Sequence, residues 1–142
     1  MAARTGSAEW HGDLQSGAGT LEVGDGVFKG DYSFASRFED GAGTNPEELI
    51  AAAHAACFTM ALSNMLASDG HVPDSVHTSA KVHLRNVDGA PTIARIDLDT
   101  RGAVPGIDAS QFQSYAEQAK TGCVVSRALA GVQEIGLVAQ LA

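Results

Sequence analysis

The stretch Thr44-Asn45-Pro46-Glu47-Glu48-Leu49-Ile50-Ala51-Ala52-Ala53-His54-Ala55-Ala56-Cys57-Phe58 decides how this chain is read. Asn45 is a good N-cap, Pro46 suits the first helical position, and Glu47 and Glu48 put negative charge at the positive end of a helix dipole. The spacing predicts a helix running to about Ser68, stopped at Asp69-Gly70 with Pro73 beyond. From Leu49 to Leu62 the segment is apolar or small nearly all round, so it needs cover on every side. One subunit with a modest sheet offers too little cover. The expectation is a homodimer in which the alanine surfaces at 51–53 and 55–56 let two such helices approach closely; the alternative is a helix wrapped by its own subunit.

Upstream of this helix the first 38 residues alternate and turn like antiparallel strands. Reversals fall at Gly17-Ala18-Gly19 and Gly24-Asp25-Gly26, between pieces such as Ala8 to Leu14 and Thr20 to Val23. Tyr32, Phe34 and Phe38 recur at even spacing, which predicts a strand with the aromatics on one face and Arg37 on the other. Downstream, Val76 to Val87 alternates as a strand, Asp88-Gly89 signals a hairpin, and Thr92 to Thr100 returns. Asp108 or Ser110 can cap a second helix through Lys120, interrupted at Gly122. Val124 to Leu129 reads as a short third helix and Val132 to Leu141 as a last strand. The order predicts an α+β fold, an antiparallel sheet with a long buried central helix, in a single domain spanning residues 1–142.

Composition narrows the function classes. Hydrophobic residues make up 44% and charged residues 18%, an ordinary globular balance. The apolar run from Leu49 to Leu62 is shorter than the ~20 residues a bilayer demands and is broken by His54 and Thr59, and the first ten residues lack a secretory core, so the chain reads as cytoplasmic and not membrane-bound. A net charge of −8 without a Lys/Arg cluster argues against a nucleic-acid partner.

Two cysteines are too few for a stabilising disulfide framework, which favours a catalytic or sensing pair. Cys57 lies within the long helix and Cys123 at a break between two later ones. A buried thiol without a cation stays protonated and inert, so a reactive Cys57 needs a positive partner. Arg37, Lys120 and Arg127 are candidates; Arg85, Arg95 and Arg101 lie on strands. At 100° per residue Glu47 falls within ~80° of the Cys57 direction and Glu48 ~180° away. Glu48 can close a capping box, which leaves Glu47 free to hold Arg37 as a fixed cationic fork. Either acid can equally be first-turn dipole compensation. His54, three residues before Cys57, is a candidate base or zinc ligand but reads better as a packed core histidine.

Arg37-Phe38-Glu39, the run from Gly43 to Phe58, Val104-Pro105-Gly106-Ile107-Asp108 and Ala119-Lys120-Thr121-Gly122-Cys123-Val124-Val125-Ser126 together resemble the OsmC/Ohr family, in its OsmC branch, over essentially the whole chain. The resemblance implies an intertwined homodimer. It implies a thiol-dependent peroxidase that reduces organic hydroperoxides, and hydrogen peroxide, without haem, flavin or metal. By resemblance Cys57 matches the peroxidatic cysteine, Cys123 the resolving cysteine, Arg37 the activating arginine and Glu47 the acid that orients it. A lipoyl-type dithiol is implied as the reductant, with glutathione or thioredoxin as other possibilities. Val124 departs from the family pattern, where proline often follows the resolving cysteine; no reacting group is lost by it. The rival readings are a redox sensor, a zinc site built from Cys57, His54 and Cys123 without the usual ligand spacing, and a non-catalytic ligand-binding module whose cysteines are packing residues.

Overall fold

A computed structural model describes residues 1–142, and the chain divides into two compact units, Met1–Leu49 and Ile50–Ala142. The boundary falls inside one helix, where no glycine, proline or shift of composition marks it, which is why the sequence reads as a single domain.

In the first unit β1 (Gly6–His11), β2 (Ala18–Val23) and β3 (Phe28–Tyr32) form an antiparallel three-stranded sheet in that order. β1 ends at His11 and not at Leu14, because the Asp13 carboxylate accepts the N–H groups of Gln15 at 2.9 Å and Ser16 at 2.8 Å and turns the chain. The predicted aromatic strand is not one. Residues Phe34–Phe38 form a short helix, α1, whose N-cap Ser33 closes a reciprocal capping box with Ser36. Phe34 and Phe38 are four residues apart, so even spacing fits a helix turn as well as a strand, and their ring centroids lie 4.9 Å apart. The cap decides between the two readings.

The long helix α2 (Pro46–Ser68) starts as expected: Asn45 Oδ1 accepts the Glu48 N–H at 2.9 Å. The Glu48 carboxylate accepts the Thr44 hydroxyl at 2.7 Å instead of closing a capping box. Its end is a Schellman turn, with Gly70 at φ 86°, the Gly70 N–H on the Ala67 carbonyl and the His71 N–H on that of Leu66.

In the second unit β4 (Ser75–Val87) and β5 (Ala90–Ala103) pair across the two-residue turn Asp88-Gly89, both at positive φ. After β5 come α3 (Ala109–Gly122), capped by Asp108 in a capping box with Gln111, and α4 (Val124–Ala128). β6 (Glu134–Leu141) then pairs with β5 in parallel. The expected sheet is therefore mixed, because a parallel partner needs a crossover and the α3–α4 connection supplies it. Phe58, Leu62 and Leu66 of α2 interlock with Ile96 and Leu98 of β5 and with Phe112, Ala116 and Ala119 of α3.

α2 has the length and apolar composition to cross a bilayer, which its polar interruptions at His54 and Thr59 concealed in the sequence. Within the second unit one stripe of it is buried, and Ala52, Ala53, Ala56 and Met60 remain exposed, Met60 by 74%. The second unit does not wrap it.

Candidate active site

Helix periodicity puts Cys57 on the covered side of α2, next to Phe58 and one turn beyond His54. Cys123 is the single residue between α3 and α4: its N–H closes the last turn of α3 on the Ala119 carbonyl, and its ψ of 131° redirects the chain into α4. Both cysteines are free, Cys57 half-buried and Cys123 buried. The two thiols lie close enough to influence each other's protonation. Burial pushes the Cys57 thiol up, and the hydrogen bond with Cys123 adds to the rise, while the N–H groups of Val125 and Val124 pull the other way. Burial is also the largest influence on Cys123 and raises it. The neighbouring polar groups, the Cys57 thiol first and then Ser126 and Val125, together outweigh burial and carry Cys123 below the ordinary thiol value. The second unit by itself therefore favours the proton on Cys57 and the charge on Cys123, the reverse of the order expected for an activated Cys57.

In the first unit α1 brings Arg37 onto Glu47. The guanidinium donates from Nη2 to Oε1 at 2.8 Å and from Nε to Oε1 at 3.2 Å and Oε2 at 3.3 Å. Glu47 is buried and the Arg37 side chain 37% exposed. Ser36 and Asn45 lock this arrangement: the Ser36 hydroxyl donates to the Thr44 carbonyl at 2.8 Å and the Asn45 amide to the Ser36 carbonyl at 2.9 Å. Arg37 is not set apart from the aromatics as a strand would require; it lies over the Phe38 ring at 5.3 Å. A cavity of about 420 Å³ opens beside it, lined by Trp10, Leu14, Tyr32, Phe34 and Phe38. A larger hollow of about 640 Å³ lies over β1, β2 and β3 and includes neither Arg37 nor a thiol.

The model of the family described as OsmC-like protein matches residues 39–137. The chain is 50% identical over 127 residues to Peroxiredoxin OsmC of Escherichia coli (strain K12), covering 89% of each protein. It belongs to the OsmC-like family. It is also 35% identical over 98 residues to the organic hydroperoxide resistance protein of Xanthomonas axonopodis pv. citri, covering 68% of this chain and 67% of that protein. Among solved structures, an organic hydroperoxide resistance protein OsmC from Legionella pneumophila matches the fold at TM-score 0.75 and 24% identity, over 100% of this chain and 99% of that one.

For this OsmC-like chain, sequence reasoning selected two pairs that the structure brings together: Cys57 with Cys123, and Arg37 with Glu47. Lys120 is not beside the thiols as a free cation; it pairs with Glu117 at 3.3 Å. His54 is fully buried, as a core histidine would be, but it has a polar partner: Nε2 and Ser126 Oγ are 2.7 Å apart, and Nδ1 has none. Ser126 was given no role in the sequence. No local signal marked it, since its partner lies 72 residues earlier in the chain.

Proposed function

We propose that this thiol-dependent peroxidase reduces organic hydroperoxides, and hydrogen peroxide, through a Cys57 sulfenic acid and a Cys57–Cys123 disulfide. Peroxidase activity follows from membership of the family and from half identity to a protein named a peroxiredoxin. The organic substrate is suggested by the name of the Xanthomonas relative. The observation that carries the cysteine assignment is the proximity of two free thiols on separate helices, close enough to shift each other's protonation.

With Cys57 ionised and Cys123 protonated, the Cys57 thiolate attacks the terminal peroxide oxygen. The S–O bond forms, the O–O bond breaks, and the departing alkoxide leaves as alcohol with the Cys123 proton. The Cys123 thiolate then attacks the Cys57 sulfur. The disulfide forms, hydroxide departs and takes a solvent proton as water, and an external dithiol of the lipoyl type restores both thiols. Since burial alone keeps Cys57 protonated, the first step needs a cation. Arg37, held in place by Glu47, is our candidate both for drawing the charge to Cys57 and for stabilising the leaving oxygen.

The apolar face of α2 around Ala52, Ala56 and Met60 supports a homodimer as the working form. A cytoplasmic setting, where thiols are kept reduced, suits a cycle that ends in a dithiol. Stopped-flow consumption of an alkyl hydroperoxide, with and without a lipoyl dithiol, tests the reading. Multiple turnovers are expected only with the dithiol, and mass spectrometry after one pulse should find Cys57 linked to Cys123. A non-catalytic sensor or ligand-binding module would consume one equivalent at most, and consumption no faster than by the Cys57→Ser protein would overturn the peroxidase reading.

A further inference from the structure

Along α2 the residues that point into the core of the second unit fall four apart: His54, Phe58, Leu62 and Leu66, each fully buried. Three of these rungs are apolar, and the first, one turn before Cys57, is an imidazole. α4 repeats the pattern from the other side. Of its five residues only Ser126 is buried, while Val124 is exposed and Val125 partly covered. The short helix that follows Cys123 is thus seated in the core by a serine, not by an apolar side chain. That serine meets the imidazole: Ser126 Oγ and His54 Nε2 lie 2.7 Å apart, the one side-chain hydrogen bond between α2 and α4. His54 Nδ1 has no partner, so this bond is the only polar attachment of the ring. Stability alone does not call for it, because a matched apolar pair of similar shape would serve as well as a buried hydrogen bond. What the bond adds is place. Apolar burial is non-directional and lets a short helix slide or roll, whereas a hydrogen bond fixes distance and angle between two atoms. His54 stands three residues before Cys57 and Ser126 three after Cys123, so the bond lies about one helical turn, ~4.5 Å of rise, along the chain from each cysteine.

We propose that His54 and Ser126 are positioning residues that pin α4 to α2 and so hold Cys123 within reach of Cys57 when the disulfide closes. The proposal rests on the peroxidase reading for its place in the cycle, not for its geometry. A disulfide forms only where the two Cα atoms come within about 4.4–6.8 Å and the Cβ vectors face each other. Cys123 is the single joint between α3 and α4, and its backbone follows whichever helix moves. Its N–H is fastened to α3 through the Ala119 carbonyl, and the pin fastens the other side. In the closing step the Cys123 thiolate attacks the sulfur of the Cys57 sulfenic acid. The S–S bond forms, the S–O bond breaks, and hydroxide leaves to take a solvent proton. Holding both sulfurs in place makes this step unimolecular at high effective concentration, and an ångström of drift forfeits much of that advantage. Speed matters here because a second hydroperoxide competes for the sulfenic acid and carries it to the sulfinic state. Attack on the first hydroperoxide does not need α4 in register, since Cys57 rides on α2, which its apolar rungs seat.

The test separates closing from both peroxide attack and ionisation. Cys57, the more accessible thiol, is capped as a methyl disulfide with one equivalent of methyl methanethiosulfonate. Cys123 then attacks the Cys57 sulfur, the S–S bond between the two cysteines forms, and methanethiolate leaves, a loss followed by mass spectrometry. Rates are compared at the high-pH plateau, where Cys123 is fully ionised, so that a change reports geometry and not thiolate population. Ser126→Ala should close about tenfold more slowly. With hydroperoxide, its sulfenic acid should form at the wild-type rate and its sulfinic acid should accumulate about tenfold more per turnover. His54→Leu should act likewise, and His54→Gln, whose amide can meet the hydroxyl, should recover most of the rate. In the double variant His54→Leu, Ser126→Ala both polar partners are gone, so the denaturation midpoint should return toward wild type while closing stays slow. Should a His54→Leu protein fail to fold, Ser126→Ala, which removes one oxygen, carries the test alone. An unchanged closing rate in Ser126→Ala, equal slowing of peroxide attack and closing, or a double variant that regains both stability and rate overturns the pin. If the wild type consumes no hydroperoxide yet methanethiolate release still depends on Ser126, the peroxidase reading fails and the pin stands. If turnover is intact and release ignores Ser126, the pin alone fails.

Discussion

The first unit, Met1–Leu49, buries one large apolar side chain, Leu21, while the second closes Phe58, Leu62, Leu66, Ile96, Leu98 and Phe112 into a continuous core. The chemistry divides along the same line. The first unit carries an arginine salt bridge at a half-exposed position, and the second carries a half-buried thiol beside a buried one and a buried, neutral imidazole. A guanidinium keeps its charge wherever it stands and needs only to be aimed, which two short hydrogen-bonded segments can do. A thiol is useful only if its proton can be moved, and that requires surroundings where a few hydrogen bonds outweigh bulk water.

The contrast is broken most directly at sulfur. Cys57→Ser should lower peroxide turnover at least about a thousandfold in stopped-flow assays. Cys123→Ser should instead permit one stoichiometric turnover and then accumulate overoxidised Cys57 by mass spectrometry; continued cycling in either protein would remove that cysteine from the mechanism. Stability should be just as unequal. Leu62→Ala in the closed core should cost about 2–5 kcal/mol in chemical denaturation, and Leu21→Ala should fall at the low end of that range or below, because its surroundings are open and can relax. Equal losses would erase the distinction between the units. Arg37→Ala should slow sulfenic acid formation about a hundredfold and raise the pH at which the thiol pair loses its first proton. An unchanged rate would confine Arg37 to a structural part.

The smallest effect concerns acid. His54 in the folded chain ionises below its ordinary value of 6.5 because it is buried. Below 6.5 the unfolded chain therefore binds more protons than the folded one, and stability contributed by neutral His54 is present above 6.5 and falls as pH drops beneath it. The slope is about 1.4 kcal/mol per pH unit at most. His54→Gln should flatten this loss in denaturation curves below pH 6.5, and an identical acid profile in both proteins would mean that His54 is not what titrates.

Much of this was legible in the chain. Asn45-Pro46 and Asp69-Gly70 bracketed α2 because caps and stops are local chemistry, and Asp88-Gly89 announced its hairpin for the same reason. The aromatic segment at 32–38 misled because positions 34 and 38 satisfy two periods at once, and only the Ser33–Ser36 box separates them. The parallel pairing of β6 was illegible, since nothing in an eight-residue apolar strand states which neighbour it joins or in which direction. Within the site the two cysteines, Arg37 and Glu47 could be read from residue type and position. The Ser126 link could not, because it depends on which side chains two separated helices turn toward each other.

Parallel pairing of β5 and β6 has one more effect. The thirty or so residues between those strands are moored to the same sheet at both ends, so the sulfur at the α3–α4 joint rides on a bridge, not on a free arm. Unpeeling the C-terminal strand would slacken that bridge and let Cys123 drift from its partner, however far the final residues stand from any reacting atom.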